Sequence, residues 1–126
     1  MTDHDAIASR HADWIKAFNG GELEALILLY ADDVVLNPPG GPELAGRDAV
    51  REWIGQFFEH NRARQTQVTE EVQASGDWAW LRGRFEIELS EKRSGPFETI
   101  RGAHLMIWKR DRQDGWSIYR DIWNLT

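Results

Sequence analysis

Near Arg64 the apolar residues change their spacing, and few folds accommodate such a change. Before it they recur every three to four residues; after it they alternate. The first spacing lines one stripe of a helix, the second one face of a strand. Ile7, His11, Trp14, Ile15 and Phe18 mark a first helix, capped by Thr2 or Asp3 and ended by Asn19-Gly20-Gly21. Leu23, Leu26, Ile27 and Tyr30 mark a second, from Glu22 to Tyr30. Ala31-Asp32-Asp33 reads as a turn and Val34-Val35-Leu36-Asn37 as a short strand. Pro38-Pro39-Gly40-Gly41-Pro42 stops that strand, because proline has no N–H to give a ladder. A third helix runs from Arg47 to about His60, with Val50, Trp53, Ile54, Phe57 and Phe58 as its apolar face.

Four long strands follow. Val68, Val72 and Ala74 mark the first, which ends at Gly76-Asp77. Trp78 to Leu89 is the second. Its Ala79, Leu81, Gly83, Phe85, Ile87 and Leu89 share one face, and Trp80, Arg82, Arg84, Glu86 and Glu88 the other. Ser94-Gly95-Pro96 turns the chain into a third, Phe97 to Arg110. The stretch from Asp111 to Gly115, with its Gln113-Asp114-Gly115 turn signal, leads into the last, which ends at Asn124. Strict alternation sets Trp116, Ile118, Arg120, Ile122 and Asn124 on one face of this strand. Ser117, Tyr119, Asp121 and Trp123 fall on the other. Helices first and strands after imply an α+β domain, with the helices on one face of a mostly antiparallel sheet. The length suits a single domain over residues 1–126. A curved sheet wrapped around three N-terminal helices forms a cone whose mouth suits a small molecule. Seven Trp residues fit such a cavity or an aromatic interface.

Other classes are set aside by what the chain lacks. The net charge is −6 and the longest basic run is Arg62-Ala63-Arg64, so nucleic acid is not the expected partner. There is no Cys, which removes disulfides, thiolate chemistry and Cys-based metal sites. His4 and His11 lack a clustered carboxylate, so no metal is expected. No nucleotide-cofactor motif occurs, and no cofactor is expected. His60 reads as a helix C-cap, and Ser9 and Ser117 have no base at a spacing suited to nucleophilic catalysis. The polar N-terminus and the short apolar run from Leu26 to Ala31 point to a cytoplasmic protein without membrane contact.

The stretch Trp14 to Gly40 resembles the first part of the SnoaL-like and ketosteroid-isomerase-like members of the nuclear-transport-factor-2-like superfamily. Gly46 to Trp53 resembles the start of their third helix. Gly102-Ala103-His104 and Gly115 to Asn124 resemble their last two strands. The resemblance implies a cystatin-like α+β barrel and, commonly, a homodimer formed through the sheet. In ketosteroid isomerases a Tyr on the first helix, a proton-shuttling Asp after the first strand and a protonated Asp on a late strand hold the active site. By the same resemblance these positions are Trp14, Pro38 and His104 here, so the shuttling base is absent and ordinary steroid isomerisation is not implied. SnoaL-like cyclases place an acid/base Asp and a His on late strands, and Asp121 and His104 resemble that pair.

Asp121 is the anomaly of the last strand, since Asp is depleted in strands and here has large aromatics on its own face. His104 shares a face with Gly102, Met106 and Trp108. If both point inward, burial raises the Asp and lowers the His while their attraction does the reverse. The expectation is that Asp121 is the acid/base, with His104 orienting it or the substrate. Trp14, Asn37 and Tyr119 would offer polar contacts, and Phe18, Tyr30, Ile54, Phe57, Met106 and Trp123 would line the pocket. The face with Trp80 and its alternating charges is the expected homodimer surface. Two readings follow. One is a small-hydrophobic-ligand-binding domain with isomerase- or cyclase-like acid/base activity on a small carbonyl compound. The other is a non-catalytic homodimeric binding or assembly module.

Overall fold

The computed structural model describes residues 2–92, 95–112 and 115–126. Ser94 of one expected turn, and Gln113 and Asp114 of the other, lie outside the described residues. Helix α1 spans Asp3–Asn19 and α2 spans Leu23–Ile27. Strands β1 (Tyr30–Asn37) and β2 (Leu44–Ala45) come next, then helix α3 (Arg47–His60). Strands β3 (Asn61–Ser75), β4 (Trp78–Glu91), β5 (Glu98–Asp111) and β6 (Gly115–Leu125) complete the chain. The six strands form one curved sheet in the order β2-β1-β6-β5-β4-β3. All neighbours are antiparallel except β1 and β6, which run parallel. The domain is α+β, as its sequence pattern implies.

Helix α1 starts where Thr2 Oγ1 accepts the Asp5 N–H at 3.1 Å, while Asp5 Oδ2 accepts the Thr2 N–H at 3.3 Å. This reciprocal cap satisfies two N–H groups that a helix start leaves free. Ile7, His11, Trp14, Ala17 and Phe18 form the buried stripe. The second helix is shorter than its apolar spacing suggests. It ends at Ile27, because Tyr30 already pairs with Ile118 and the Leu29 carbonyl accepts the Ile118 N–H at 2.9 Å. Ala31, Asp32 and Asp33 therefore belong to β1 and not to a turn. Strand β2, a two-residue piece inside 44–45, escapes a reading based on period. Strand β3 begins directly after α3, its polar first residues held by pairing with the end of β4. Among the described residues, no helix is long and apolar enough to cross a membrane.

Two bulges correct the strict alternation. In β6, Ile107 faces Arg120 and Trp108 faces Ile118, which leaves Tyr119 as an extra residue. An extra residue resets which side chains point inward. Trp116, Ile118 and Asp121 are consequently all buried, and Ile122 is exposed. Tyr119 does not share a face with Asp121. It packs on the outside, with the Arg120 guanidinium 3.7 Å from its ring centre and Trp78 at 5.1 Å. In β3 the register shifts between Thr69 and Glu71. Val68 is thereby 60% exposed, while Gln65 is buried and Val72 packs against the core.

The core lies between the helices and the concave face. Trp108, Leu81, Met106 and Ile118 meet Ile7, Leu26 and Val50 there. Two glycines on this face make room for it. A Cβ on Gly83 would lie 2.5 Å from the Val68 carbonyl oxygen and 3.1 Å from His104 Nε2. A Cβ on Gly102 would collide with the Phe85 ring and the Asn124 carbonyl. Neither neighbour is a flexible chain end, so Gly102→Ala is expected to destabilise the fold by about 1–3 kcal/mol, the scale of overpacking in a tight core. Urea unfolding measures it, and a midpoint equal to the parent's would contradict this packing.

Candidate functional site

A cavity of about 220 Å³ opens between the helices and the concave face. Helix α1 contributes Trp14 and Phe18, whose rings stack with centres 5.3 Å apart. Ile54 and Phe57 come from α3, and Met106 and Trp123 from the sheet. Trp53, 6.0 Å from Trp123 between ring centres, stands at the exposed side. Tyr30, His104 and Asp121 also line the cavity. Of the residues expected from sequence, two do not line it. Asn37 sits at the end of β1 opposite Ile122. Tyr119 is carried outside by the bulge.

Asp121 projects into this cavity from β6. It is 9% exposed, and among the described residues its Oδ1 has no hydrogen-bond partner. Burial disfavours the charged form, and pushes the carboxyl up from 3.8 to about 8. Tyr30 is its electrostatic neighbour. Burial, and after it the Asp121 charge, hold the phenol well above its ordinary value, so it stays protonated. Trp14 Nε1 donates to the Tyr30 hydroxyl oxygen at 2.9 Å, which leaves the phenolic hydrogen to donate elsewhere.

His104 lies two residues along and one strand over from Asp121, since His104 pairs with Trp123 and Met106 with Asp121. Such diagonal positions are about 7–8 Å apart. Among the described residues no hydrogen bond or ion pair joins the two side chains. The His104 ring leans the other way, with Nε2 over Gly83. Its neighbours are His11, 6.0 Å away between ring centres, and Phe85 at 6.2 Å. Burial, with His11 adding to it, pushes His104 down to about 4. His11 is lowered by burial as well, and the Gln67 side chain partly offsets this. The cavity thus has two polar ends: Asp121 with Tyr30 and Trp14, and His104 with Gln67, with His11 behind the His104 ring.

Gln65 and Gln67 were not legible as lining residues. Their signal was a period of two among polar residues, paired with Ile87 and Phe85 on the inward face of β4. His60 Nδ1 lies 2.8 Å from the Gln56 carbonyl oxygen at the end of α3. Asp32 makes an ion pair with Arg47 at 2.9 Å on the surface. Among the described residues, no group of three His, Asp or Glu side chains is placed to hold a metal ion.

The SnoaL-like domain profile matches residues 11–114. No curated protein matches the chain. Among solved structures, a ketosteroid isomerase-like protein from Erwinia carotovora atroseptica is 27% identical. The alignment covers 96% of this chain and 94% of that one, with a TM-score of 0.87. A conserved protein from Planctomyces limnophilus is 21% identical, covers 98% of both chains and has a TM-score of 0.90. A nuclear-transport-factor-2-like protein with a cystatin-like fold from Novosphingobium aromaticivorans is 22% identical. It covers 98% of this chain and 81% of its own, with a TM-score of 0.82. The last two agree with this chain in fold.

The raised Asp121 carboxyl makes stability depend on pH. It keeps its proton up to about pH 8 in the folded chain but only to 3.8 when unfolded. Its contribution is complete below the lower value and is lost as pH rises to the higher one, at a slope approaching about 1.4 kcal/mol per pH unit. Asn has no such proton. Asp121→Asn should therefore gain on the parent progressively from about pH 5 to 8 and level off above. Urea unfolding across this range measures the difference; a constant difference would place the carboxyl in water.

Proposed function

The chain belongs to the SnoaL-like domain family, and on that footing we propose that it binds a small apolar carbonyl compound and moves a proton on it with Asp121. One observation carries this reading: a carboxyl buried among aromatic and aliphatic side chains, with an unpartnered oxygen and a proton affinity near neutrality. Such a group exists in both forms around pH 8, so it can take a proton and give it back. The ionised form removes a hydrogen from the carbon beside the carbonyl. The electron pair moves onto the carbonyl oxygen. The Tyr30 O–H, polarised by the Trp14 N–H, donates to that oxygen. Asp121 then returns its proton to a different carbon, which shifts the double bond; in ring closure the enolate carbon first bonds to a second carbonyl carbon of the same molecule, and the proton goes to the oxygen that this bond leaves negative.

The likeness to a ketosteroid isomerase-like protein supports proton transfer of this kind. The positions differ from those of ketosteroid isomerases. Pro38 stands where the resemblance places their base, and the base here comes from β6. The phenol comes from β1, with Trp14 acting through it. The cavity volume is below the roughly 300–1,000 Å³ of pockets for drug-sized ligands, so the substrate is small. The walls offer it aromatic faces.

Hydrogen–deuterium exchange tests this. A panel of small enolisable ketones, acetophenone among them, is incubated with the protein in heavy water and followed by proton NMR. Catalysed exchange is expected, with a rate that rises with pH towards about 8 and then levels as the carboxyl ionises. Asp121→Asn should lower it about 10²–10⁴-fold. An unchanged rate in that variant removes Asp121 from the chemistry.

The outer sheet face supports the homodimer part of the reading. Leu105 and Ile122 pair across β5 and β6, and are 39% and 54% exposed. Trp80 and Ile107 pair beside them. Ion pairs border this apolar strip, with Arg82 on Glu70 and Glu71, and Arg84 on Glu70. A strip of one kind edged by both charges can meet its own copy about a two-fold axis. Sedimentation at micromolar concentration is expected to give twice the chain mass of 14.6 kDa. Leu105→Glu should lower it towards the single chain, and a monomer mass for the parent rejects this surface.

A further inference from the structure

The His104 end of the cavity is not used by the proton transfer above. Among the described residues His104 Nε2, His11 Nε2 and Gln67 Oε1 are all buried without a well-formed hydrogen bond, and the Gln67 side chain, close to His11, is the one group that acts on that ring in the direction of a hydrogen bond. His11 and His104 are 6% and 7% exposed, so bulk water does not serve them. A buried polar group without a hydrogen bond forfeits its hydration with nothing in return. His104 and Gln67, from two different strands, line the cavity with His11 behind them, and make a set of anchors for something that binds.

The sheet is built around this spot. Gly83 pairs with His104, and any Cβ there would press on Nε2 at 3.1 Å. Phe85 is edge-on to the imidazole and closes one side. Gln67 is held by its Nε2, which donates to Gln65 Oε1 at 2.6 Å and so fixes where its own Oε1, an acceptor, stands. Burial keeps both imidazoles neutral at physiological pH, so each carries one N–H and one lone pair. The place therefore offers an acceptor at Gln67 and a donor at His104.

We propose that His104, His11 and Gln67 form a second subsite that receives a hydroxyl group of the substrate. A hydroxyl gives its hydrogen to Gln67 Oε1 and accepts from His104. A ketone or an ether can do only the second. The substrate class is then a small ring compound with a carbonyl at the Asp121 and Tyr30 end and a hydroxyl at the other. His11, behind His104, is a positioning residue that fixes the imidazole. This inference deepens the proton-transfer reading and rests on it.

The test uses acetophenone, its three hydroxy isomers and their methyl ethers. Affinity is measured by quenching of tryptophan fluorescence, and exchange at the methyl group by NMR. At least one hydroxy isomer is expected to bind about tenfold more tightly than both acetophenone and its own methyl ether. Gln67→Leu and His104→Phe should each bring that ratio to within about twofold. Asp121→Asn should lower exchange about 10²–10⁴-fold but keep the ratio. Gln67 is only half-buried, so its variant serves if His104→Phe does not fold. Equal affinities for all members, or a preference that survives Gln67→Leu, overturn the subsite and leave the role of Asp121 standing. A preference without exchange overturns Asp121 and keeps the subsite. No binding by any member overturns both.

Discussion

Tyr119 is one residue too many for the ladder between β5 and β6, and the inner wall of the cavity depends on where that surplus goes. Without it, Ile118 and Asp121 would point to opposite sides of the sheet, since side chains alternate. With it, Trp116 and Ile118 fill the core at one end of the strand and Asp121 and Trp123 face the cavity at the other. The surplus residue is stabilised outside. Its ring lies under the Arg120 guanidinium, and the Lys109 ammonium is 5.3 Å from its centre. Bulges next to active sites commonly re-aim a side chain, and here the re-aimed group is the only carboxylate that lines the cavity among the described residues.

The large elements were legible because each is carried by many residues. The alternation of β4 from Ala79 to Phe85 reaches the structure unchanged, and the stripe from Ile7 to Phe18 in α1 does so with Ala17 buried and Ile15 at its margin. What was not legible rests on one residue at a time. Nothing in the letters Thr69-Glu70-Glu71 or Ile118-Tyr119-Arg120 separates a bulge from a regular strand. The change from α2 to β1 was hidden because Leu-Leu-Tyr suits both helix and strand, and pairing with Ile118, far along the chain, decides between them. Asp121 could be picked out by its chemistry, while its supposed alliance with His104 could not be tested by spacing. Gly83 turned out to matter, because a strand position without Cβ lets the imidazole lean away from β6.

The cavity runs against the usual rules of a core. Trp108 Nε1 is buried unpartnered like the His11, His104, Gln67 and Asp121 atoms. Each such group, left without a partner, costs about 1–3 kcal/mol. The fold withstands this because the apolar core beside it is large, with Trp108, Leu81, Met106 and Ile118 all nearly inaccessible. Local violations of packing logic on an otherwise consistent scaffold are a mark of functional sites. Of these groups, Asp121 lies at one end of the cavity and His104 and Gln67 at the other, with aromatic walls between, the pattern expected of a site that reads both ends of a molecule.

Charge gives the site a further constraint. At neutral pH the His104 and His11 rings are uncharged and Asp121 is mostly protonated, so the lined space carries little net charge. An anion entering it would gain no fixed cation, and would hold Asp121 all the more firmly in its protonated, non-basic form. A neutral ligand does neither. It displaces whatever solvent separates Asp121 from the walls, and brings a carbonyl whose oxygen can share the Tyr30 hydrogen. On the proposed reading, the same burial that raises the carboxyl favours a neutral ligand over an anion, and gives Asp121 a proton affinity at which a carboxyl can both accept and release a proton near physiological pH.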